Sequence, residues 1–218
     1  MLKAVIFDMD GVIADTNAHH EIAWRTYYEQ HGRTLSNKEF VEHIAGKHNR
    51  QIVHHLFPGQ DIPLADIDRL GAEKEALFRQ LYAPDIQPVP GLPQFLALLK
   101  EHGIKTAVAT SAPVENLDFV LDTLALRTYF DVLLHEKLVT RPKPDPEIYL
   151  KAMTMLGVTA EASVVFEDSM TGIKAGRASG AKVIGVATTH SIDELAALTN
   201  DVITDFTEMT WERLTKPR

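Results

Sequence analysis

The chain has 218 residues, of which 45% are hydrophobic and 24% are charged, and this balance fits one or two globular domains with a hydrophobic core. Lysine and arginine number 22 against 30 aspartate and glutamate, and the net charge of −8 argues against a nucleic-acid-binding protein. The absence of cysteine excludes disulfides, cysteine-bound zinc and a thiol nucleophile.

The first predicted strand, residues 3–7, is a short apolar run that ends at Asp8-Met9-Asp10-Gly11. Two carboxylates at the end of one buried strand can meet one ligand, and they repel each other unless a cation or a proton lies between them. We therefore expect Mg²⁺ at this position. A plain turn is the alternative, because Asp and Gly are common turn residues.

The first two predicted strands are separated by roughly 85 residues, where a crossover needs only a few dozen. This gap contains helix-period segments and no convincing strand, so we predict a small helical domain over residues 16–85, inserted into a domain of residues 1–15 and 86–218. The helical segments predicted inside it are 18–31, 37–43, 49–57 and 63–82.

After the insertion, strand-like runs alternate with helical segments, which is typical of a parallel sheet in an α/β protein. The predicted strands are 104–109, 131–134, 163–166, 182–186 and 201–204, and the predicted helices are 91–102, 145–156, 170–179 and 207–214. The fold class is therefore α/β.

Candidate site residues follow the predicted strands, because ligands of open parallel sheets bind beyond the carboxyl ends of the strands. They are Asp8, Asp10, Thr110, Ser111, Glu167 and Asp168, together with Lys143, which lies between two prolines. Carboxylates, a hydroxyl and a lysine suit phosphoryl transfer: the carboxylates hold Mg²⁺, one attacks phosphorus, and the hydroxyl and ammonium bind phosphoryl oxygens.

Two of these segments have a structural alternative. Thr110-Ser111 could cap a helix near residue 115, and Glu167-Asp168-Ser169 could cap the helix that follows it. The full set, found at successive strand ends, is more specific than any of its members.

In this order and spacing, four motifs resemble those of the haloacid dehalogenase superfamily, in its β-phosphoglucomutase-like phosphatase branch. They are Asp8-x-Asp10-Gly, Thr110-Ser111, Lys143-Pro-x-Pro and Glu167-Asp168-Ser-x-x-Gly172. The resemblance covers nearly the whole chain, including the place of the helical insertion. It implies a Rossmann-like, doubly wound parallel sheet as core and a helical cap domain that closes over the site and selects the substrate.

The resemblance implies roles for the first motif. Asp8 would be the nucleophile, forming an aspartyl-phosphate, and would also bind Mg²⁺. Asp10 would act first as general acid and then as general base, with its backbone carbonyl on the metal. Members of the superfamily that attack carbon or cleave phosphonates lack an aspartate at the second position, so Asp10 implies phosphate ester chemistry.

The other motifs take roles in the same way. Thr110 would bind the transferring phosphoryl group, with Ser111 as a substrate contact, and Lys143 would offset the negative charge of Asp8 and phosphate. Glu167 and Asp168 would complete the metal site. An aspartate is a poor nucleophile near an anionic phosphate until such cations reduce the repulsion.

Further substrate contacts are implied in the insertion. His20 matches a histidine that the mutases of the family have near the site, with a surface or hinge histidine as the alternative. Residues 44–50 resemble the specificity loop of the cap, which makes Gly46, Lys47 and Arg50 substrate-binding candidates.

This loop departs from the mutase pattern. The residue before Gly46 is Ala45 where mutases have lysine, and Arg50 falls four residues after the glycine where they have arginine three after it. A mutase must hold two phosphates in turn, so the loss of cationic contacts favours hydrolysis. Lys47 is a candidate substitute for the missing lysine.

We therefore predict a Mg²⁺-dependent phosphatase of a small phosphorylated metabolite, of the sugar phosphate class, with a phosphohexomutase of the β-phosphoglucomutase type as the alternative. A phospho-acceptor signalling module is disfavoured, because such modules are shorter and have no helical insertion, and a scaffold without activity is disfavoured because every core polar position is present.

No apolar run reaches the roughly 20 residues of a membrane span. We expect a cytoplasmic protein without a signal peptide, as a monomer or weak homodimer.

Overall fold

The computed structural model describes residues 1–44, 47, 49–59 and 61–216, with the backbone alone at residues 49 and 50. The chain divides into two compact units. The first, the α/β unit, comprises Met1–Asp15 and Ile86–Arg218, and the second, the helical unit, comprises Thr16–Asp85.

A sheet of six parallel strands in the order β3-β2-β1-β4-β5-β6 forms the centre of the α/β unit. The strands are β1 (Ala4–Phe7), β2 (Lys105–Ala109), β3 (Val132–Leu134), β4 (Ser163–Glu167), β5 (Lys182–Val186) and β6 (Asp201–Ile203). Each bound lies within one residue of the predicted one, and the predicted Rossmann-like α/β class is confirmed. Because β1 lies between β2 and β4 and is covered on both faces, all of its residues are apolar and buried.

Ten α-helices are assigned within the described ranges. They are α1 (Asn17–Gln30), α2 (Asn37–Glu39), α3 (Asn49–Leu56), α4 (Leu64–Tyr82), α5 (Leu92–Glu101), α6 (Val114–Thr123), α7 (Glu147–Leu156), α8 (Met170–Ala178), α9 (Ile192–Ala196) and α10 (Trp211–Thr215). None of them combines the length and the apolar character that crossing a membrane requires.

The two faces of the sheet have different cores. Phe7 stacks on Phe166 with ring centroids 5.4 Å apart and meets Phe95 and Phe206 at 6.2 Å and 6.0 Å. The other face is mostly aliphatic, with residues of α7 and α8 packed on residues such as Ile6. Alternation of side chains along β1 thus places Phe7 in the aromatic core and Ile6 in the aliphatic one.

The tail helix predicted over 207–214 is confirmed over 211–214 and is wrong over 207–210. Phe206–Glu208 form a 3-10 turn, Met209 is extended, and α10 begins at Trp211. Two separate caps explain the break: Asp205 accepts the backbone N–H of Thr207 at 2.8 Å, and Thr210 accepts that of Arg213 at 3.2 Å. Each cap starts its own short element.

The helical unit has its own hydrophobic core, which includes Trp24, Tyr28, Ile52, Leu56 and Ile67. No strand is assigned in the parts of this unit that the structure describes. The helix predicted over 37–43 is α2 followed by a π-helical segment, Phe40–Ile44.

Candidate active site

Asp8 lies directly after β1, is 7% exposed, and its backbone N–H donates to the carbonyl of Phe166 at 3.0 Å. The chain then turns sharply, with the N–H of Gly11 bonded to the carbonyl of Ala14 at 2.8 Å. Gly11 has a φ of +73°, and a Cβ at this position would lie 2.0 Å from Oδ2 of Asp168. The motif therefore needs glycine both for its backbone conformation and for the approach of Asp168.

Lys143 joins the ends of two strands. Its buried Nζ donates to Oδ1 of Asp8 and to Oε1 of Glu167, each at 2.7 Å. Burial alone would lower the pKa of Lys143, but the charges of Asp8 and Glu167 raise it well above its usual value. The ammonium is therefore charged and shared between two carboxylates.

The loop before Lys143 is held by the first residue of α7. The carboxylate of Glu147 accepts the backbone N–H and the hydroxyl of Thr140, both at 2.8 Å, and the N–H of Arg141 at 3.0 Å. These bonds lower the pKa of Glu147 to about 2. The lysine is thus presented by an anchored loop.

Glu167, the last residue of β4, is fully buried. Its Oε1 accepts Lys143 and the hydroxyl of Tyr149, the latter at 2.6 Å. Its Oε2 accepts the backbone N–H groups of Asp168 and Ser169 and the hydroxyl of Ser169, each at 3.1 Å. A Cβ on Gly172 would lie 1.7 Å from Oε1 and 2.2 Å from Oε2, so this glycine leaves the space that the carboxylate fills.

The charge balance of the site fits a divalent cation. Carboxylate oxygens of Asp8, Glu167 and Asp168 lie within 4.8 Å of one another. Burial, together with the neighbouring carboxylates, raises the pKa of Asp8 to about 7 and that of Asp168 well above its usual value. One lysine faces three buried carboxylates, and an oxygen-liganded cation such as Mg²⁺ would balance the excess negative charge. The partly exposed side chain of Asp10 lies outside this set of three.

Thr110 follows β2 and is fully buried. Its N–H donates to the carbonyl of Leu134 at 3.0 Å and its hydroxyl accepts the N–H of Ala112 at 3.0 Å. Ser111 is exposed. Because α6 begins at Val114 with Pro113 before it, neither Thr110 nor Ser111 is the N-cap of that helix.

The cap of α8 is likewise separate from the acidic residues. Ser169 is its N-cap, and its hydroxyl accepts the N–H of Gly172 at 3.1 Å. The capping alternative is therefore confirmed for Ser169, whereas neither Glu167 nor Asp168 is the N-cap residue. The sequence-predicted residues Asp8, Lys143, Glu167 and Asp168 are therefore brought together at the carboxyl ends of β1 and β4.

The sequence profile of the haloacid dehalogenase-like hydrolases matches residues 5–186. The chain belongs to this family. A phosphorylated carbohydrates phosphatase from Thermotoga maritima is 35% identical to this hydrolase over 201 residues, which cover 90% of each chain. The β-phosphoglucomutase of Bacillus subtilis is 28% identical over 223 residues, covering 97% of this chain and 96% of the mutase.

A solved structure agrees with these relatives. A haloacid dehalogenase hydrolase of family IA, variant 3, from Entamoeba histolytica is 30% identical and matches with a TM-score of 0.91, covering 98% of this chain and 97% of that one. The superfamily and the branch that the four motifs resemble are confirmed.

Two threonines that follow β5 in this hydrolase, Thr188 and Thr189, also contact the candidate site, and the sequence analysis did not identify them. The hydroxyl of Thr189 donates to Oδ2 of Asp168, and that of Thr188 donates to the carbonyl of Gly11 at 2.6 Å. Both residues follow a predicted strand at the same sheet edge, so the rule that indicated Thr110 would have found them. Tyr149 was missed as well, because nothing in the sequence distinguishes it from the apolar residues of α7.

The helical unit contains a buried charged cluster next to one predicted residue. His20 stacks on Phe78 with ring centroids 3.8 Å apart, and its Nδ1 lies 3.2 Å from Nζ of Lys74. Lys74 is 1% exposed, pairs with Glu75 at 2.7 Å and lies 4.7 Å from the ring centroid of Trp24. His20 is thus a partly buried member of an ordered cluster.

The other substrate contacts predicted in this unit lie within residues 44–50. Lys47 is exposed. Gly46 and the side chain of Arg50 lie outside the described residues, so the predicted specificity loop stays a prediction.

Proposed function

We propose that this protein is a Mg²⁺-dependent phosphatase that hydrolyses a small phosphorylated carbohydrate through an aspartyl-phosphate on Asp8. That it is a phosphoric monoester hydrolase follows from its family and from relatives named as phosphatases. One observation carries the finer proposal: a buried carboxylate at the end of the central strand, held at 2.7 Å by a buried lysine beside two further carboxylates.

In the first half of the proposed reaction, an oxygen of Asp8 forms a bond to phosphorus while the bond from phosphorus to the ester oxygen breaks. Lys143 reduces the charge repulsion between Asp8 and the phosphoryl group, and Thr110 contributes a hydroxyl to the phosphoryl oxygens. Asp10 gives its proton to the departing alkoxide.

In the second half, water attacks phosphorus and the bond to Asp8 breaks. Asp10, now a carboxylate, takes the proton of that water, which restores both aspartates for the next cycle. The same side chain acts as acid and then as base because each half-reaction leaves it in the form that the other requires.

The residues assigned to Mg²⁺ are the carboxylates of Asp8 and Asp168 and the backbone carbonyl of Asp10. The bound ion would neutralise charge that develops on the phosphoryl oxygens. Glu167 was also predicted as a ligand, but both of its oxygens already accept hydrogen bonds from the protein. We therefore propose that Glu167 keeps Lys143 charged and holds it in position, rather than binding the metal.

We propose that the helical unit is the cap that selects the carbohydrate. Its candidate contacts stay His20, Gly46, Lys47 and Arg50, with Ser111 from the α/β unit. Monomer or weak homodimer, and the cytoplasm, stay predictions too.

A mutase is the second candidate, because one relative is named β-phosphoglucomutase. The two candidates differ in product. Incubation with β-glucose 1-phosphate and a trace of the bisphosphate would yield glucose 6-phosphate from a mutase and free phosphate from a hydrolase. We expect free phosphate.

The test of the proposal is a screen of phosphorylated metabolites, with released phosphate as the readout and with EDTA and Asp8→Asn as controls. We expect turnover of at least one sugar phosphate, its loss with EDTA and its recovery with added Mg²⁺. Full turnover by Asp8→Asn would contradict the nucleophile, and indifference to EDTA would contradict the metal.

A further inference from the structure

Tyr149 is a fully buried residue of α7 that contacts both Glu167 and Lys143 in the charged network around Asp8. Its hydroxyl donates to Oε1 of Glu167 at 2.6 Å, and its ring centroid lies 4.9 Å from Nζ of Lys143. We propose that Tyr149 is a positioning residue that holds Lys143 against Asp8. The proposal rests on the proposed function, since it assigns Tyr149 a part in that reaction.

The ammonium of Lys143 is bounded on three sides. Two of its directions are hydrogen bonds of 2.7 Å to Asp8 and Glu167. The Tyr149 ring lies within the distance, about 6 Å, at which a cation is attracted to an aromatic face. The lysine therefore has little freedom to move unless one of these three groups moves.

The hydroxyl of Tyr149 also sets how strongly Glu167 attracts the lysine. Oε1 of Glu167 is shared by two donors, Lys143 and Tyr149, while Oε2 is fixed by three donors of the following loop. Without the hydroxyl, Oε1 would have one donor instead of two, and its attraction for the ammonium would increase. Lys143 would then shift from Asp8 towards Glu167.

A displaced lysine would affect the rate more than substrate binding. Lys143 offsets charge that becomes concentrated at Asp8 and the phosphoryl oxygens as the new bond forms, so its contribution is largest in the transition state. Mispositioning by a fraction of an ångström should therefore lower kcat and leave KM nearly unchanged.

Packing alone does not account for a tyrosine at this place. The other buried residues of α7 are apolar, namely Ile148, Ala152, Met153 and Leu156. Tyr28, a buried tyrosine of α1, has no hydrogen-bond partner for its hydroxyl among the described residues. Tyr28 fills space, whereas the hydroxyl of Tyr149 is directed at the carboxylate that holds Lys143.

The test compares Tyr149→Phe, which keeps the ring, with Tyr149→Leu, which removes both ring and hydroxyl, and with Tyr28→Phe as the matched control. Each is assayed for phosphate release from a sugar phosphate that the wild type hydrolyses, for thermal unfolding, and for inhibition by inorganic phosphate and by tetrafluoroaluminate. Tetrafluoroaluminate mimics the phosphoryl group in the transition state, so its affinity should follow kcat.

We expect Tyr149→Phe to lower kcat about 10-fold, equivalent to about 1.4 kcal/mol, with KM within about twofold. Inhibition by tetrafluoroaluminate should weaken to a similar extent, and inhibition by phosphate should not change. Tyr149→Leu should lower kcat by about 100-fold, because the ring is lost as well. Tyr28→Phe should match the wild type.

Three results would overturn the proposal: wild-type kcat in Tyr149→Phe, whatever its melting temperature; a raised KM with kcat unchanged; or failure of Tyr149→Phe to fold, which would make the hydroxyl purely structural. Failure of the proposed function is distinguishable from these, because then the wild type itself would release no phosphate from any ester.

Discussion

Gly172 is where a single added methyl group would test the arrangement of the site most sharply. In Gly172→Ala, the new Cβ would lie 1.7 Å from Oε1 of Glu167, and side-chain carbons essentially never come within 3.0 Å of another heavy atom. To restore even a 3.0 Å contact, that oxygen must retreat by about 1.3 Å. The retreat is costly, because both carboxylate oxygens are held by hydrogen bonds.

Two opposing effects set the change in the free energy of unfolding. Replacing a helical glycine by alanine stabilises by up to about 1 kcal/mol. Overpacking costs about 1–3 kcal/mol, and each lost hydrogen bond to a charged group about 1.5–3 kcal/mol. We expect Gly172→Ala to be destabilised by about 2 kcal/mol or more. Since a 1 Å displacement near the reacting groups can cost about 100-fold in rate, kcat should fall about 100-fold.

Gly176→Ala is the matched control on the same helix. Its Cβ would lie 2.9 Å from Cγ2 of Val183 and 3.3 Å from Cγ1 of Val165, which are both methyl groups of the aliphatic core. Urea unfolding and steady-state phosphate release, measured on both variants, separate the two effects. Gly176→Ala should lose stability and keep kcat within about twofold. Wild-type kcat in Gly172→Ala would refute the assigned role of Glu167.

Three further predictions follow from the same site. Lys143→Met should lower kcat by about 1,000-fold or more while the protein still folds, because the charge of Asp8 would lose its counter-charge; activity near that of the wild type would exclude the lysine from the reaction. Thr189→Val should raise the Mg²⁺ concentration for half-maximal activity by about 10-fold, since Thr189 orients Asp168; an unchanged Mg²⁺ titration would contradict this. Metal-free protein should lose stability as pH rises from about 4 to about 7. The reason is that the pKa of Asp8 is raised from 3.8 to about 7 in the folded protein. Over this range the native state keeps a proton on Asp8 that the unfolded chain has released. Added Mg²⁺ should oppose that loss. Thermal unfolding at several pH values, with and without Mg²⁺, measures both effects. A metal-free protein whose stability rises over this range would contradict the prediction.

Much of the fold could be predicted because buried parallel strands are continuous apolar runs, as Ala4–Phe7 shows. The site edge followed from the rule that ligands bind at the carboxyl ends of such strands. The start of the tail helix was predicted too early, because Thr210 is the N-cap of α10 and a separate 3-10 turn, capped by Asp205, precedes it. Tyr149 could not be found, since its spacing on α7 is that of an ordinary core residue and its role depends on a contact with Glu167 across the fold.

The most direct test of the central claim is chemical trapping of the intermediate on Asp8. The protein is mixed with a sugar phosphate and Mg²⁺, quenched with borohydride during turnover, and digested for peptide mass spectrometry. Because borohydride reduces an acyl phosphate and leaves a free carboxylate intact, we predict homoserine at position 8, absent without substrate, with EDTA and in Asp8→Asn. Rapid phosphate release with Asp8 unmodified at every quench time, or with the reduced residue at Asp10, would contradict the account.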